Sequence, residues 1–414
     1  MADTSFAFTD PRAQKVWSAR MFNDALEQIR FKTLMGRTKD DIILVDQDLT
    51  RKAGGTVVLE CVDELTGAGV GDDGDTTNSA QAITMKNQSV VVHERATRTQ
   101  SAGAMSMQLT SVNTEKFRQL SKQQLSRLLA QWMENDIRAS LTGEYNENVS
   151  SASIETVNEV YPESTRIMYL GQSIDSTPAL DNSGADYTTD ALLSAATVAN
   201  NLFGTLVIKK IKMKMVMADP RFETAKYYQV SNRSERSTAF DVAQGHQGPL
   251  IGEFFHCFAS PYQLESMKAE LGANGWALTQ QALAARGNDN PVFTGGASLF
   301  DGVIIHEYPR IPTRTGAGST TLAEGFLLNA GRTATTDAVA SGVTVARALF
   351  LGANAGLFAW AMPFGWWEDM YDANKPIVKS DGIYGVKVSQ WNEAGGTTNK
   401  AAVSRYCCDT CVQT

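Results

Sequence analysis

Apolar residues first fall into register near the start of the chain. Asp10-Pro11 supplies an oxygen acceptor at a cap and then proline at the first helical position. Trp17, Met21, Phe22, Ala25, Leu26 and Ile29 follow at helical spacing, which predicts a short amphipathic helix over 11–31. A polar, irregular stretch runs from there to Lys52. Period-two alternation takes over at 55–64, where Val57, Leu59 and Cys61 alternate with Thr56, Val58 and Glu60, so this segment is a strand. Residues 82–99 form a second extended stretch, β-rich and mostly polar. Neither strand carries enough apolar residues for a core face. The pair reads as a long two-stranded arm, marginal in water unless it lies on another surface.

The longest helical pattern covers 114–141 and predicts a rod of roughly 40 Å at about 1.5 Å per residue. Phe117, Leu125, Leu128, Leu129 and Trp132 make its apolar stripe, with Lys116, Gln123, Arg127, Glu134 and Arg138 opposite. Thr142-Gly143 stops it. Residues 145–189 are rich in Ser, Asn, Thr, Asp and Gly and read as an insertion or loop. A helix from Asp190 then leads into a strand that starts at Lys209, where lysines alternate with Ile and Met. Asp219-Pro220 turns the chain into a helix around Phe222–Tyr228, and another helix runs from about Pro261 to Leu271. Val303–Tyr308 is a strand after a Gly-rich turn, 345–361 is an apolar helix-like segment, and Ile383–Ser389 is a strand. The fold class is α+β, with no internal repeat.

Composition narrows the function. The formal charge is −8, with 37 Lys and Arg against 45 Asp and Glu, and the basic residues are dispersed. A sequence-specific nucleic-acid reader would instead show a basic patch or stripe. No run of about 18 apolar residues occurs, and the start MADTSFAFTDPR has no basic and apolar leader, so neither a membrane span nor a secretion signal is expected. The five cysteines, Cys61, Cys257, Cys407, Cys408 and Cys411, are too few for a disulfide framework at this length and suit a reducing cytoplasm.

Each candidate for chemistry fails on its context. Gly69-Val-Gly71-Asp-Asp-Gly74 matches a dinucleotide fingerprint, yet it sits between two strands, where no helix N-terminus can meet a phosphate. Asp73-Gly-Asp75-Thr-Thr77-Asn78 lacks the glycine and distal glutamate of a calcium loop. His93-Glu and His306-Glu have no second histidine at i+4, and Gly296-Ala-Ser298-Leu-Phe300 lacks the second glycine of a nucleophile elbow. Cys407, Cys408 and Cys411 have no fourth ligand at zinc spacing and read as an oxidation-prone tail. Asp72, Asp73 and Asp75 occupy an arm tip, which cannot hold catalytic geometry. No catalytic, cofactor-binding or metal residue is expected.

Six stretches, in order over nearly the whole chain, resemble one family: KVWSARMFNDALEQIRFKTLMG (15–36), KAGGTVVLECVDELTGAGVGDDG (52–74), KMVMADPRFETAKYY (214–228), NPVFTGGASLFDGVIIHEYPRI (290–311), LFLGANAGLFAWA (349–361) and YDANKPIVKSDGIYGVKVSQWN (371–392). The family is the major capsid proteins of tailed double-stranded-DNA phages, of the type of coliphage N-four, with the Hong Kong 97 fold. Two features depart from it: the long polar stretch 145–189 and the cysteine-rich terminus.

The resemblance implies an N-terminal arm at 1–50 and an extended hairpin, the E-loop, at 51–102. It implies a peripheral (P) domain at 103–189, with its spine helix at 112–142 and the polar insertion at 145–189. An axial (A) domain would take 190–365, with strands returning to the P domain, and 366–414 would add a last strand and tail. The implied function is a non-enzymatic icosahedral head shell, built from hexamers and pentamers in the host cytoplasm and carried in the virion. Implied partners are copies of the chain, a portal protein, scaffold and decoration proteins, and non-specifically contacted packaged DNA, with no cofactor and no membrane. In such a shell the acidic tip of Asp72, Asp73 and Asp75 would meet a basic surface on a neighbour. The candidates are Lys116, Arg127 and Arg138 on the long helix, or Arg12, Lys15 and Arg20 on the N-terminal arm. An oligomeric α/β enzyme using the hairpin as a dimerisation arm, with its site in 190–360, is the alternative. A surface-decorating binding module is a further one.

Overall fold

The computed structural model describes residues 11–38, 40–47, 55–62, 85–100, 114–143, 167–169, 202–218, 222–228, 250–269, 298–315, 342–371, 375–389, 392–393 and 404–412. The first helix, α1 (Pro11–Gln28), buries Met21, Phe22, Ala25 and Leu26, as their spacing requires. A 3-10 turn, Arg30–Leu34, buries Phe31 and Leu34 and leads into β1 (Met35–Gly36) and β2 (Ile43–Gln47). The stretch expected to be irregular thus contains a core strand, with Ile43 and Val45 buried. Its five residues are too short for alternation to stand out against the surrounding polar sequence.

The arm begins with the antiparallel pair β3 (Thr56–Val62) and β4 (Met85–Val91) and continues into β5 (His93–Gln100). Then come the long helix α2 (Thr114–Thr142), β6 (Ile167–Tyr169) and α3 (Thr205–Val216). β7 (Ala225–Tyr228), β8 (Leu250–Ala259), α4 (Pro261–Lys268), β9 (Ser298–Phe300), β10 (Val303–Glu307) and β11 (Thr313–Thr315) follow. The last third is β12 (Thr344–Leu351), β13 (Gly356–Met362), β14 (Trp367–Tyr371), β15 (Lys375–Val388), β16 (Asn392–Glu393) and β17 (Arg405–Val412).

These strands make three sheets. One runs β1-β2-β13-β15-β14, with β5 also paired to β15. The second runs β6-β17-β12-β8-β10-β9, with β11 on β12 and β7 on β8, and β16-β4-β3 is the third. One core cluster joins α1 and α2 to both large sheets, through residues such as Ile43, Phe358 and Val386 from the first and Val345, Leu349 and Cys407 from the second. A second cluster packs α3 and α4 on the other face of the β12–β17 sheet, through Ala348, Phe350, Tyr406 and Cys408. α2 and α3 therefore lie on opposite faces of that sheet.

Several expectations change. The segment from Lys209 is helical, because Ile208, Ile211 and Met215 recur at i, i+3 and i+7 and the adjacent Lys209-Lys210 breaks strand alternation. Residues 225–228 form a strand on β8 and not a helix. The apolar run 345–361 is two strands: both faces of β12 are buried, so its polarity does not alternate, and Asn354 (φ 53°) helps turn the chain between them. Within 145–189, Ile167–Tyr169 is a fully buried edge strand parallel to β17. The arm also has an apolar face after all. Val57, Val90 and Val92 are buried against Leu357, Ala359 and Ala361 of the same chain. At that crossing a Cβ on Gly385 would stand 2.3 Å from the Val91 carbonyl oxygen, so only glycine admits the approach.

Candidate assembly surface and its buried frame

The C-terminal end of α2 is received by two buried arginines. Thr142 and Gly143 (φ 67°) end the helix as expected, leaving its last carbonyls without intrahelical donors. Arg347 Nη1 donates to the Thr142 carbonyl at 3.0 Å, and Arg405 Nη1 donates to those of Ser140 and Leu141 at 3.3 and 3.4 Å. Arg347 also grips Asp409 through two bonds of 2.8 Å, with both side chains fully buried. Burial disfavours the charged guanidinium, but the Asp409 carboxylate outweighs it and drives the pKa of Arg347 further up. On the other face of the sheet, Ser260 and Gln263 form the capping box of α4. The Gln263 amide then donates to Ala346 O at 3.0 Å and Thr410 Oγ1 at 2.7 Å.

The rest of α2 is pinned in the same manner. Near its start Arg118 holds Glu368 bidentately at 2.8 Å, and Trp366 Nε1 donates to the same carboxylate at 2.9 Å. Trp17 of α1 stacks on Trp366, with ring centroids 5.9 Å apart. Further along, the Tyr308 hydroxyl donates to Glu134 Oε1 at 2.7 Å. Glu134 is thus buried and not on the solvent face, because the residues after β10 cover that side of the helix. Arg95 of β5 pairs with Asp136 at 3.0 Å, its guanidinium over the rings of Trp132 and Tyr384, and Tyr384 also donates to Asp136. The stem of the arm is fastened to its own helix.

The expected contact residues fare unequally. Asp72, Asp73 and Asp75 lie outside the described residues. Lys116 and Arg127 are exposed on α2, and Lys15 and Arg20 are exposed on α1. Arg12 lies in α1, with its side chain outside the described residues. Arg138 is half-buried and spends one donor on the Arg310 carbonyl at 2.8 Å. The ion pair Asp24–Lys122 and the bond from Gln28 to Ser126 advance together, so the two helices run parallel and carry their exposed bases side by side.

Of the chemistry candidates, the glycine-rich and acidic loop over 69–78 lies outside the described residues, and the C-terminal cysteines settle into the core. His306 stacks against His256, with Nε2 and Nδ1 2.9 Å apart, a pairing that depends on the register of β8 and β10 and leaves no signal along the sequence. Cys257, Cys407, Cys408 and Cys411 are free, buried thiols. The three terminal ones stand in β17, buried at every residue, and not in an oxidation-prone tail. Burial pushes their ionisation up, that of Cys411 to about 11, which keeps them inert. Among the described residues no group of three His, Cys, Asp or Glu could hold a metal ion.

This frame fastens elements together and leaves charged faces of α1 and α2 outside. The sequence profile of the family described as phage capsid protein matches residues 5–228 and 236–413. The chain belongs to the phage capsid protein family. It is 24% identical over 311 residues, 74% of each chain, to the major capsid protein of Pseudomonas phage KPP25. Among solved structures it resembles the capsid of Ralstonia phage GP4, with a TM-score of 0.65 and 20% identity over 100% of this chain and 99% of that one. The capsid asymmetric unit of cyanophage Pam1 gives a TM-score of 0.60 at 20% identity, again over 100% and 99%. This phage capsid protein thus shares the α+β fold of phage capsid subunits. Its role is structural and not catalytic, and its place is the virion.

Proposed function

We propose that this major capsid subunit of a phage head closes, with copies of itself, into an icosahedral shell around a double-stranded DNA genome. In this reading the subunit is of the Hong Kong 97 kind and the coliphage N-four type. Residues 1–50 act as the N-terminal arm, 51–102 as the E-loop, 103–189 as the P domain with α2 as its spine, 190–365 as the A domain and 366–414 as the closing strand and tail. The observation that carries it is the hairpin stem. β5 and the buried Val57, Val90 and Val92 anchor the arm on its own subunit, fastened to α2 through Arg95 and Asp136, and Asp72, Asp73 and Asp75 fall in the sequence between β3 and β4. Hexamers and pentamers, a portal, scaffold and decoration proteins and assembly in the host cytoplasm belong to the same reading.

The contact assigned to the tip joins Asp72, Asp73 and Asp75 of one subunit to exposed bases on a neighbour. Lys116 and Arg127, and Lys15 and Arg20, are the exposed bases among the candidates, whereas Arg138 is half-buried. Each exposed pair contributes only about 0–1 kcal/mol, but the contact repeats around a closed shell. Replacing residues 66–80 with an Asn-Gly turn should leave a folded, soluble subunit that fails to close shells. Shell yield by sedimentation, beside circular dichroism, decides it. Normal shells would remove the tip from assembly, and loss of the folded signal would make it part of the core.

A further inference from the structure

The edges of the three sheets are guarded, with one exception. β1, β6, β7, β9, β11 and β16 are two to four residues long, too short to template another chain. β14 carries Glu368 and Asp369, and β5, paired only with β15 among the described strands, carries Glu94, Arg95 and Arg98. β3 is different. It ends the third sheet with seven residues, Thr-Val-Val-Leu-Glu-Cys-Val, in which Glu60 is the single charge and proline is absent. Val92 N donates to Gly55 O at 3.0 Å, and this pair continues the β3–β4 register, so the odd-numbered residues of β3 turn their backbone polar groups to β4. The N–H and C=O of Thr56, Val58, Glu60 and Val62 therefore point to the other edge, with which none of the described strands pairs. Val57 is buried on its own subunit, whereas Val58 is 50% exposed.

We infer that the open edge of β3 receives residues 5–9 of a second copy of the chain as an added strand. The inference rests on the shell reading, which supplies the second copy. A long apolar edge templates pairing through its free N–H and C=O groups, so a soluble chain that leaves one unguarded covers it on assembly. Ser5-Phe-Ala-Phe-Thr9 suits the edge. Its rings alternate with small residues at the period of a strand, it carries no charge, and Pro11 biases the residue ahead of α1 to extended backbone. Leu44 and Ile383 remain only half-buried against the valines of the hairpin, which leaves apolar surface for Phe6 or Phe8 to cover. The same subunit's own segment is badly placed for this. Phe22 of α1 packs on Trp360, on the face of β13 opposite to Ala359 and Ala361, where the hairpin sits. Gln14 of α1 also reaches Glu368 O in β14, whose pairing with β15 ends at Lys379. That is roughly 20 Å along β15 from Gly385, where the hairpin crosses.

The test is residue-resolved hydrogen exchange of the full-length chain, first diluted to the isolated subunit and then concentrated into assemblies followed by sedimentation. In the isolated subunit the amides of Val58, Glu60 and Val62 should exchange freely, while those of Val57 and Leu59, bonded to β4, are protected. On association the three free amides should slow by about tenfold or more, and a variant lacking residues 2–9 should lose that slowing. Val58→Pro removes one outward N–H without touching the ladder to β4, and should associate about tenfold more weakly. Val58→Lys, which guards the edge with a charge and keeps every N–H, stands in should the proline variant unfold. The inference is overturned by a wild type that does not associate, by no slowing on association, or by equal slowing in the variant lacking residues 2–9. Protection already complete in the isolated subunit would also overturn it, because the edge would then be covered from within. So would a folded Val58→Pro protein that associates like the wild type or, should that variant unfold, a Val58→Lys protein that does. Slowing in small oligomers that never close into shells would uphold the strand addition and count against the shell reading alone.

Discussion

His256 and His306 spend the folded state as a neutral, hydrogen-bonded pair between β8 and β10, His256 buried and His306 partly so, with Phe258 stacked on the His306 ring. Burial, and for His256 also the neighbouring imidazole, holds both below the usual histidine range, His306 at about 4. Between pH 6.5 and about 4 the unfolded chain therefore takes up protons that the folded chain refuses. Stability is complete above 6.5 and falls as the pH drops through that window, at roughly 1.4 kcal/mol per pH unit for each ring. The melting temperature should decline between pH 6.5 and 5, before carboxylates dominate, and His306→Gln should flatten that decline. An equal decline in the variant would mean that the pair does not govern it. Similar reasoning applies to Cys408, since a serine there would place a strongly hydrogen-bonding hydroxyl in an apolar cluster.

The long helix shows how an element can be right while its faces are not. Its buried line is Phe117, Leu125, Leu129, Met133, Ile137 and Leu141, whereas Leu128 and Trp132 flank it half-buried. Trp132 packs at the edge of the core, with Arg95 over its ring. Met133→Ala should therefore cost about 2–5 kcal/mol and exceed Trp132→Ala, while exposed Arg127→Ala stays within about 0.5 kcal/mol. Chemical denaturation of the three variants checks the order. A larger loss at Trp132 would mean that the ring, and not the Met133 line, bears the contact with the sheets.

At the scale of the molecule, the last strand holds the two layers together. β17 lies between β6 and β12, contributes to both core clusters, and brings Asp409 to Arg347 and Arg405 to the end of α2. Asp409→Ala leaves a fully buried guanidinium without its carboxylate, which should cost about 3–5 kcal/mol. The expected result is a subunit that melts earlier and yields fewer shells, read by calorimetry and sedimentation. A wild-type melt would show that Arg347 does not depend on the Asp409 carboxylate.

Some of this was written in local pattern. Proline at 11 and the 3.6-residue period placed α1, Thr142-Gly143 ended α2, and alternation placed β3, because each depends on neighbours a few residues away. The order of six family-like stretches carried the capsid assignment. Tertiary structure decided what has no local period. β12, β13 and β17 are buried on both faces, so their sequences do not alternate and a helix or a tail read equally well. Glu134, Asp409 and the paired histidines look like surface or site residues until partners 50 or more positions away in the chain hydrogen-bond them. The stem of the hairpin found its apolar partner in β13 of its own chain, because three valines suffice once a sheet face and Gly385 receive them.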